Sequence, residues 1–297
     1  MTRPTRETIA GQRYLALQRE ARRTNRPTDE LIQIYALECF LDRLVRSRYA
    51  DQFVLKGGML LAALGARRPT RDIDFSAHAV NNNLAEVLHI VRDIAASTLD
   101  DGVVFDSGAA TAETIREEDD YSGVRTTLSG ALSRASIRLH VDVNVGDPVW
   151  PEAQSIEVPR LLDGALLVRG YPVEMVLAEK LVTAIVRGTV NTRWRDFLDI
   201  HALAACHAIS GARLHQSLVR VADHRAAVLA SLETLLAGFG SVAQPRWRAW
   251  ADKQRLPEDS APRDFATVLQ SVIAFADPVI AGDAGSWEWD PATRQWR

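Results

Sequence analysis

Val54-Leu55-Lys56-Gly57-Gly58-Met59-Leu60-Leu61, followed by Arg68-Pro69-Thr70-Arg71-Asp72-Ile73-Asp74-Phe75-Ser76, is the stretch on which the fold turns. Phe53-Val54-Leu55 reads as a short strand. Gly57-Gly58 breaks it, Met59 to Leu64 reads as a short helix, and Gly65 stops that helix. Arg67, Arg68 and Arg71 lie in a loop, and Asp72 to Ser76 is the next strand. Side chains alternate along a strand, so Asp72 and Asp74 point to one face. Two carboxylates held that close repel each other and call for a cation. A pair of Mg²⁺ ions, or Mn²⁺ in their place, suits carboxylate and phosphate oxygens together. Two such metals can activate an attacking hydroxyl and stabilise a leaving pyrophosphate. Gly57-Gly58, between strand and helix, would bare backbone N–H groups toward a phosphate. Each part alone is common; the ordered set is not. Gly57, Gly58, Arg68, Thr70 and Arg71 are therefore the candidate nucleotide contacts, and Asp72 and Asp74 the candidate metal ligands.

A two-metal site usually takes a further acid from a neighbouring strand. Ser136 to Val145 alternates Ile137, Leu139, Val141, Val143 and Val145 with Arg138, His140, Asp142 and Asn144, a half-buried strand. Asp142 sits in its middle and is the candidate third ligand; a polar outer face explains it equally simply. Asp147 competes, but it precedes Pro148 and reads as a turn residue.

Outward from this centre, Pro27-Thr28-Asp29-Glu30 reads as a helix start with Thr28 as cap, the helix running to about Tyr49. Asn83 to Thr98 is an amphipathic helix, residues 103 to 145 are strand-rich, and Ala165 to Arg169 is another strand. From Pro172 the pattern turns helical: to about Arg187, then roughly 194–208, 211–237 and 263–275. The segments around Pro245 and from Pro257 to Pro262 read as loops or turns. Trp287, Trp289 and Trp296 near the end are expected to pack on the domain. The expected division is a core with N-terminal helices over 1–170 and a mainly helical domain over 171–297.

Lys180 carries the second clue. On the helix from Val173, Val176, Leu177, Leu181 and Ala184 form an apolar stripe with Val173, and Lys180 falls inside it. An inward lysine must snorkel to the surface or meet an anion. The anion is read as a triphosphate or a carboxylate cluster. Asp196 and Asp199, one helical turn apart, are candidates to orient Lys180 or to act as a general base. For Asp199, a favourable helix-dipole position is an equal alternative.

The 297 residues, 47% hydrophobic and 25% charged, can bury a sizeable core. The formal charge of −3 does not suggest nucleic acid, but residues 1–26 carry seven arginines against two acids. That segment is either a solvated helix face or a phosphate-backbone contact. Cys39 and Cys206 have no ligand-like spacing, which argues against a disulfide framework or a zinc site. The arginine-rich start has no apolar core of a secretory signal, and no run is long enough to span a membrane. A cytoplasmic protein is expected.

The two quoted stretches, with Tyr171-Pro172-Val173-Glu174, Ala178-Glu179-Lys180-Leu181 and Arg193 to Asp199, resemble the AbiEii family of nucleotidyltransferase toxins, to which the mycobacterial MenT toxins belong. The resemblance spans about residues 30–205. It implies an α+β fold: a polymerase-β-like nucleotidyltransferase core with a C-terminal helical domain. It also implies the toxin half of a type IV toxin–antitoxin pair, with a cognate antitoxin as partner. Transfer of a nucleotide from an NTP to the 3′ end of tRNA, blocking aminoacylation and growth, is the implied activity. Gly58 falls in the glycine motif, Asp72 and Asp74 in the metal motif, Lys180 in the lysine motif and Asp196 in the last acidic motif. Two departures stand out. The glycine motif often reads Gly-Ser but here is Gly57-Gly58, and Arg195 stands where a lysine often precedes the last motif's first aspartate. A protein or small-molecule acceptor, or a nucleotide-binding module without turnover, are the competing readings.

Overall fold

The computed structural model describes residues 4–66, 70–116, 122–162, 164–254 and 261–297. The chain divides into two compact units. The first comprises Met1–Ala63, Arg67–Asp147 and Gln154–Gly170; the second comprises Leu64–Ala66, Pro148–Ala153 and Tyr171–Arg297.

In the first unit the elements run α1 (Ile9–Thr24), α2 (Thr28–Val45), β1 (Phe53–Lys56), α3 (Gly57–Ala63), β2 (Asp72–Ala77) and α4 (Leu84–Ala96). Then come β3 (Val103–Arg116), β4 (Ser122–Leu132), β5 (Ala135–Val145), β6 (Gln154–Pro159) and β7 (Ala165–Gly170). They form a seven-stranded mixed sheet in the order β3-β4-β5-β2-β1-β7-β6. β2 pairs parallel with β5 and antiparallel with β1, which in turn pairs parallel with β7.

Alternation on these strands separates two faces. Ile73, Phe75, Leu139, Val141 and Val143 are buried on one, and α2 and α4 pack over the sheet. Asp72, Asp74, His140 and Asp142 alternate with them onto the other face. α4 contributes Val87, Ile90, Val91 and Ile94, a stripe at helical spacing, with Asn83 capping it through bonds to the backbone of Ala85 and Glu86. α2 is buried on most sides, Glu38, Asp42 and Arg43 included. Glu38 accepts from the Leu161 backbone N–H with both oxygens (3.0 and 3.1 Å). Arg43 pairs with Asp101 and donates to the carbonyls of Ser97 and Val103. These buried charges are tolerable because each is hydrogen-bonded, and they tie α2 to the loops beside the sheet. The expected Thr28 cap is not made. Pro27 takes the cap position, its carbonyl accepting from Leu31, so Thr28 is already helical and no side chain caps.

The second unit contains α5 (Val173–Arg187), α6 (Trp194–Cys206), α7 (Gly211–His224), α8 (Leu232–Leu235), α9 (Phe239–Gln254) and α10 (Phe265–Ile280). A small antiparallel sheet joins β8 (Ile209–Ser210), β9 (Glu288–Asp290) and β10 (Gln295–Trp296). Two sequence expectations are corrected here. The segment around Pro245 is helical, because Phe239, Ala243 and Trp247 form a buried stripe along α9. Gln244 then ties that helix to Arg263 and Phe265. Packing outweighs the one backbone bond the proline removes. The helix expected over 211–237 is broken after His224: Ala226 is left-handed, with φ 47°. Asp277 then caps α8 through Ser231, Leu232 and Glu233. α10 extends to Ile280 through Pro278. Trp289 donates to the Ala204 carbonyl and, with Trp296, packs on Phe275, whereas Trp287 is exposed. The turn expected from Pro257 onward falls largely on 255–260, outside the described residues. Among the described residues, no helix is long and apolar enough to cross a membrane.

Candidate active site

Strand register assembles the first cluster. Lys56 on β1 faces Asp74 on β2, Asp74 faces Asp142 on β5, Asp142 faces Arg125 on β4, and Arg125 faces Glu113 on β3. Alternation holds this row on one face of the sheet, where cross-strand neighbours meet. The next row places Asp72 beside His140, whose Nδ1 lies 3.0 Å from the Thr127 hydroxyl.

The glycines serve this cluster at close range. Gly57 has φ +65°, and a Cβ there would lie 1.8 Å from Asp74 Oδ2. Asp74's carboxylate is thus packed against the Gly57 backbone. A Cβ on Gly58 would lie 2.7 Å from Thr70 Oγ1, and that hydroxyl donates to the Asp72 carbonyl (3.1 Å). From the sequence, glycine is expected here so that a phosphate can approach. In the structure the nearest atoms belong to the chain's own Asp74 and Thr70, which already exclude a side chain. Arg71 is exposed; Arg67 and Arg68, expected beside the carboxylates, lie outside the described residues.

Both candidates for the third carboxylate are ion-paired. Asp147 accepts from Lys56 Nζ at 2.7 Å. Asp142 receives a two-pronged bond from Arg125, Nε to Oδ1 at 2.8 Å and Nη2 to Oδ2 at 2.6 Å. The hydrogen bonds that Arg125 donates to Asp142, then the charges of Asp142, Asp72 and Glu113, raise the Arg125 pKa above its ordinary value. Among the described residues, no three His, Cys, Asp or Glu side chains converge on a single metal position. The donor chemistry nevertheless suits a hard cation. Three aspartates share a face on two adjacent strands, with Asp72 and Asp74 two residues apart. Arg125 and Glu113 escaped the sequence reading. Only the pairing of β3, β4 and β5 brings them into this row, and spacing within one strand does not reveal it.

Helix periodicity assembles the second cluster, in the second unit. Lys180 on α5 lies among the buried Val176, Leu177, Leu181 and Ala184. Its ammonium donates to Asp196 Oδ1 and Asp199 Oδ2, both at 2.8 Å. Arg193 Nε donates to the other Asp196 oxygen at 2.8 Å. Asn191, buried, accepts from the Arg193 backbone at 2.8 Å and holds the loop that leads into α6. Lysine and both acids are mostly buried: 13% exposed for Lys180, 8% for Asp196 and 4% for Asp199. Of the two sequence alternatives for Lys180, the ammonium meets anions rather than reaching out to solvent. Asp199 lies beyond the first turn of α6 and accepts from Lys180.

Residues 39–271 match the family described as nucleotidyl transferase AbiEii toxin, Type IV TA system. The chain belongs to this family. Its fold is similar to that of an H. pylori protein described as a candidate nucleotidyltransferase: TM-score 0.50, 17% identity, covering 83% of this chain and 95% of that one. JHP933 from Helicobacter pylori aligns over 84% of this chain and 94% of its own, with 18% identity and TM-score 0.49. No curated protein matches the sequence. The mixed sheet with its flanking helices is consistent with a polymerase-β-like core, and the family makes the chain a nucleotidyltransferase toxin.

Proposed function

We propose that this chain transfers a nucleoside monophosphate from an NTP to the 3′ hydroxyl of tRNA, and that its toxicity follows from blocked aminoacylation. The carrying observation is Asp72 and Asp74 on one face of β2, with Asp74 seated against Gly57 and in register with Asp142. Bound there, Mg²⁺ or Mn²⁺ would neutralise triphosphate charge and acidify the acceptor hydroxyl. Asp72 and Asp74 would hold the metal, with Asp142 as the third ligand. The acceptor oxygen forms a bond to the α-phosphorus as the bond to the pyrophosphate oxygen breaks. Pyrophosphate carries away the electron pair. Gly57, Gly58, Thr70, Arg68 and Arg71 are proposed to receive the triphosphate. For Lys180 and Asp196 the proposal keeps the roles their motifs imply, charge neutralisation and handling of the acceptor proton. Membership of a toxin–antitoxin family implies an antitoxin partner.

The test is incubation with each of the four labelled NTPs, Mg²⁺ and total tRNA, with Asp72→Ala as control. Label at the tRNA 3′ end from wild type alone is expected, and the favoured NTP names the base. Label in protein or in a small molecule would overturn the tRNA acceptor. Equal labelling by Asp72→Ala would overturn the site.

A further inference from the structure

Arg125 occupies the place in the charged row where a cation is most needed, and it has two carboxylates to choose from. On one side, Asp142 on β5 takes both of its donors in the fork. On the other side, Glu113 on β3 stands opposite it in register and is exposed. The two partners of the fork are unequally held: the Arg125 side chain is 33% exposed and that of Asp142 10%. The guanidinium therefore has more room to move than the carboxylate.

We propose that Arg125 is a cation gate for this sheet face. It holds Asp142 in the fork when no metal is bound, and it swings to Glu113 when a divalent cation draws Asp142 toward Asp74. The inference rests on the reading of Asp72 and Asp74 as metal ligands. It adds what sets their affinity. A guanidinium beside a divalent cation is a like-charge contact in a partly desolvated place, so it opposes binding for as long as it stays on Asp142. Glu113 lowers the cost of leaving, because the departing guanidinium exchanges one carboxylate for another across the same sheet. This also explains why three carboxylates on one face are not gathered round a single point: Asp142 directs both oxygens to β4 and away from β2. Arg125 is thus a positioning residue, acting through Asp142.

The experiment is Mn²⁺ binding by the full chain without nucleotide, read from the spectroscopic signal of free Mn²⁺, with thermal melts as a check on folding. Arg125→Gln is expected to tighten Mn²⁺ binding roughly tenfold, a conservative figure for removing one nearby charge. Adding Asp142→Asn to it should erase that gain. Glu113→Gln should weaken binding, because the guanidinium then has no second carboxylate to move to. Should Arg125→Gln not fold, Arg125→Lys keeps the charge but loses the fork, and a smaller gain is expected. Unchanged or weaker binding in a folded Arg125 variant, while Asp72→Asn loses binding, overturns the gate and leaves the metal site standing. Unchanged Mn²⁺ binding in Asp72→Asn overturns the metal reading itself, and the gate with it.

Discussion

The two charged clusters differ in how they are built and in how their charges balance. On the sheet, register gathers Asp72, Asp74 and Asp142 in rows that also hold Lys56 and Arg125, with Arg125 forming the fork on Asp142. In the second unit, helix spacing gathers Asp196 and Asp199 with Lys180 and Arg193, two acids and two cations. On the proposed reading the sheet cluster takes a further cation, so losing one acid there should cost chemistry and little stability. The helix cluster is already balanced and mostly buried, so losing one member should cost the fold as well.

The largest expected effect is on the sheet. Asp72→Asn should lower nucleotide transfer on the order of a thousandfold, the size of several kcal/mol of lost transition-state stabilisation. Its melting temperature should be unchanged or slightly raised, since a like-charge contact is relieved. A marked fall in melting temperature would break the contrast between the clusters. Next comes Lys180→Met, which removes the ammonium that both buried carboxylates accept from. A loss of about 3 kcal/mol of stability is expected by chemical denaturation. Adding Asp196→Asn and Asp199→Asn should recover part of that stability and none of the transfer. Gly57→Ala should be milder, costing about 1–2 kcal/mol for a left-handed alanine and displacing Asp74. Transfer should fall about a hundredfold, seen as a lower kcat at little changed stability relative to Lys180→Met.

The smallest effect is a pH dependence in the second unit. Burial, then the charge of Arg294, lowers the pKa of His201, which lies 3.0 Å from the Ser271 hydroxyl. The fold prefers the neutral ring. The unfolded chain takes up its proton first, near the ordinary His value of about 6.5. Stability from this group is therefore full above that pH and is lost as pH falls through the lowered value. Melting temperature should decline on acidification below neutrality, and His201→Gln should flatten the decline. An identical slope in the variant would show that other groups carry it.

The contrast also separates what was legible in the sequence from what was not. Period 2 placed Asp72 and Asp74 on one face, and period 3.6 placed Lys180 inside an apolar stripe, because both are local properties of a single element. The strand at Ser136, the helix at Asn83 and the helix after Pro172 were readable for the same reason. Arg125 and Glu113 were not, because strand register is a long-range property. The fork on Asp142 was hidden with them. Helix α9 was missed through Pro245, a local signal that the buried Phe239, Ala243 and Trp247 override. Gly57 was noticed, but for a phosphate; its nearest neighbour, the Asp74 carboxylate, appears only once β1 and β2 are paired.

The central claim is that the face bearing Asp72 and Asp74 works through a bound divalent cation. It is tested most directly by following labelled nucleotide into tRNA with the wild-type chain in Mg²⁺, after chelation, and after Mg²⁺ is restored. Transfer should cease on chelation and return with the metal. Transfer that persists undiminished in the chelated protein would contradict the account.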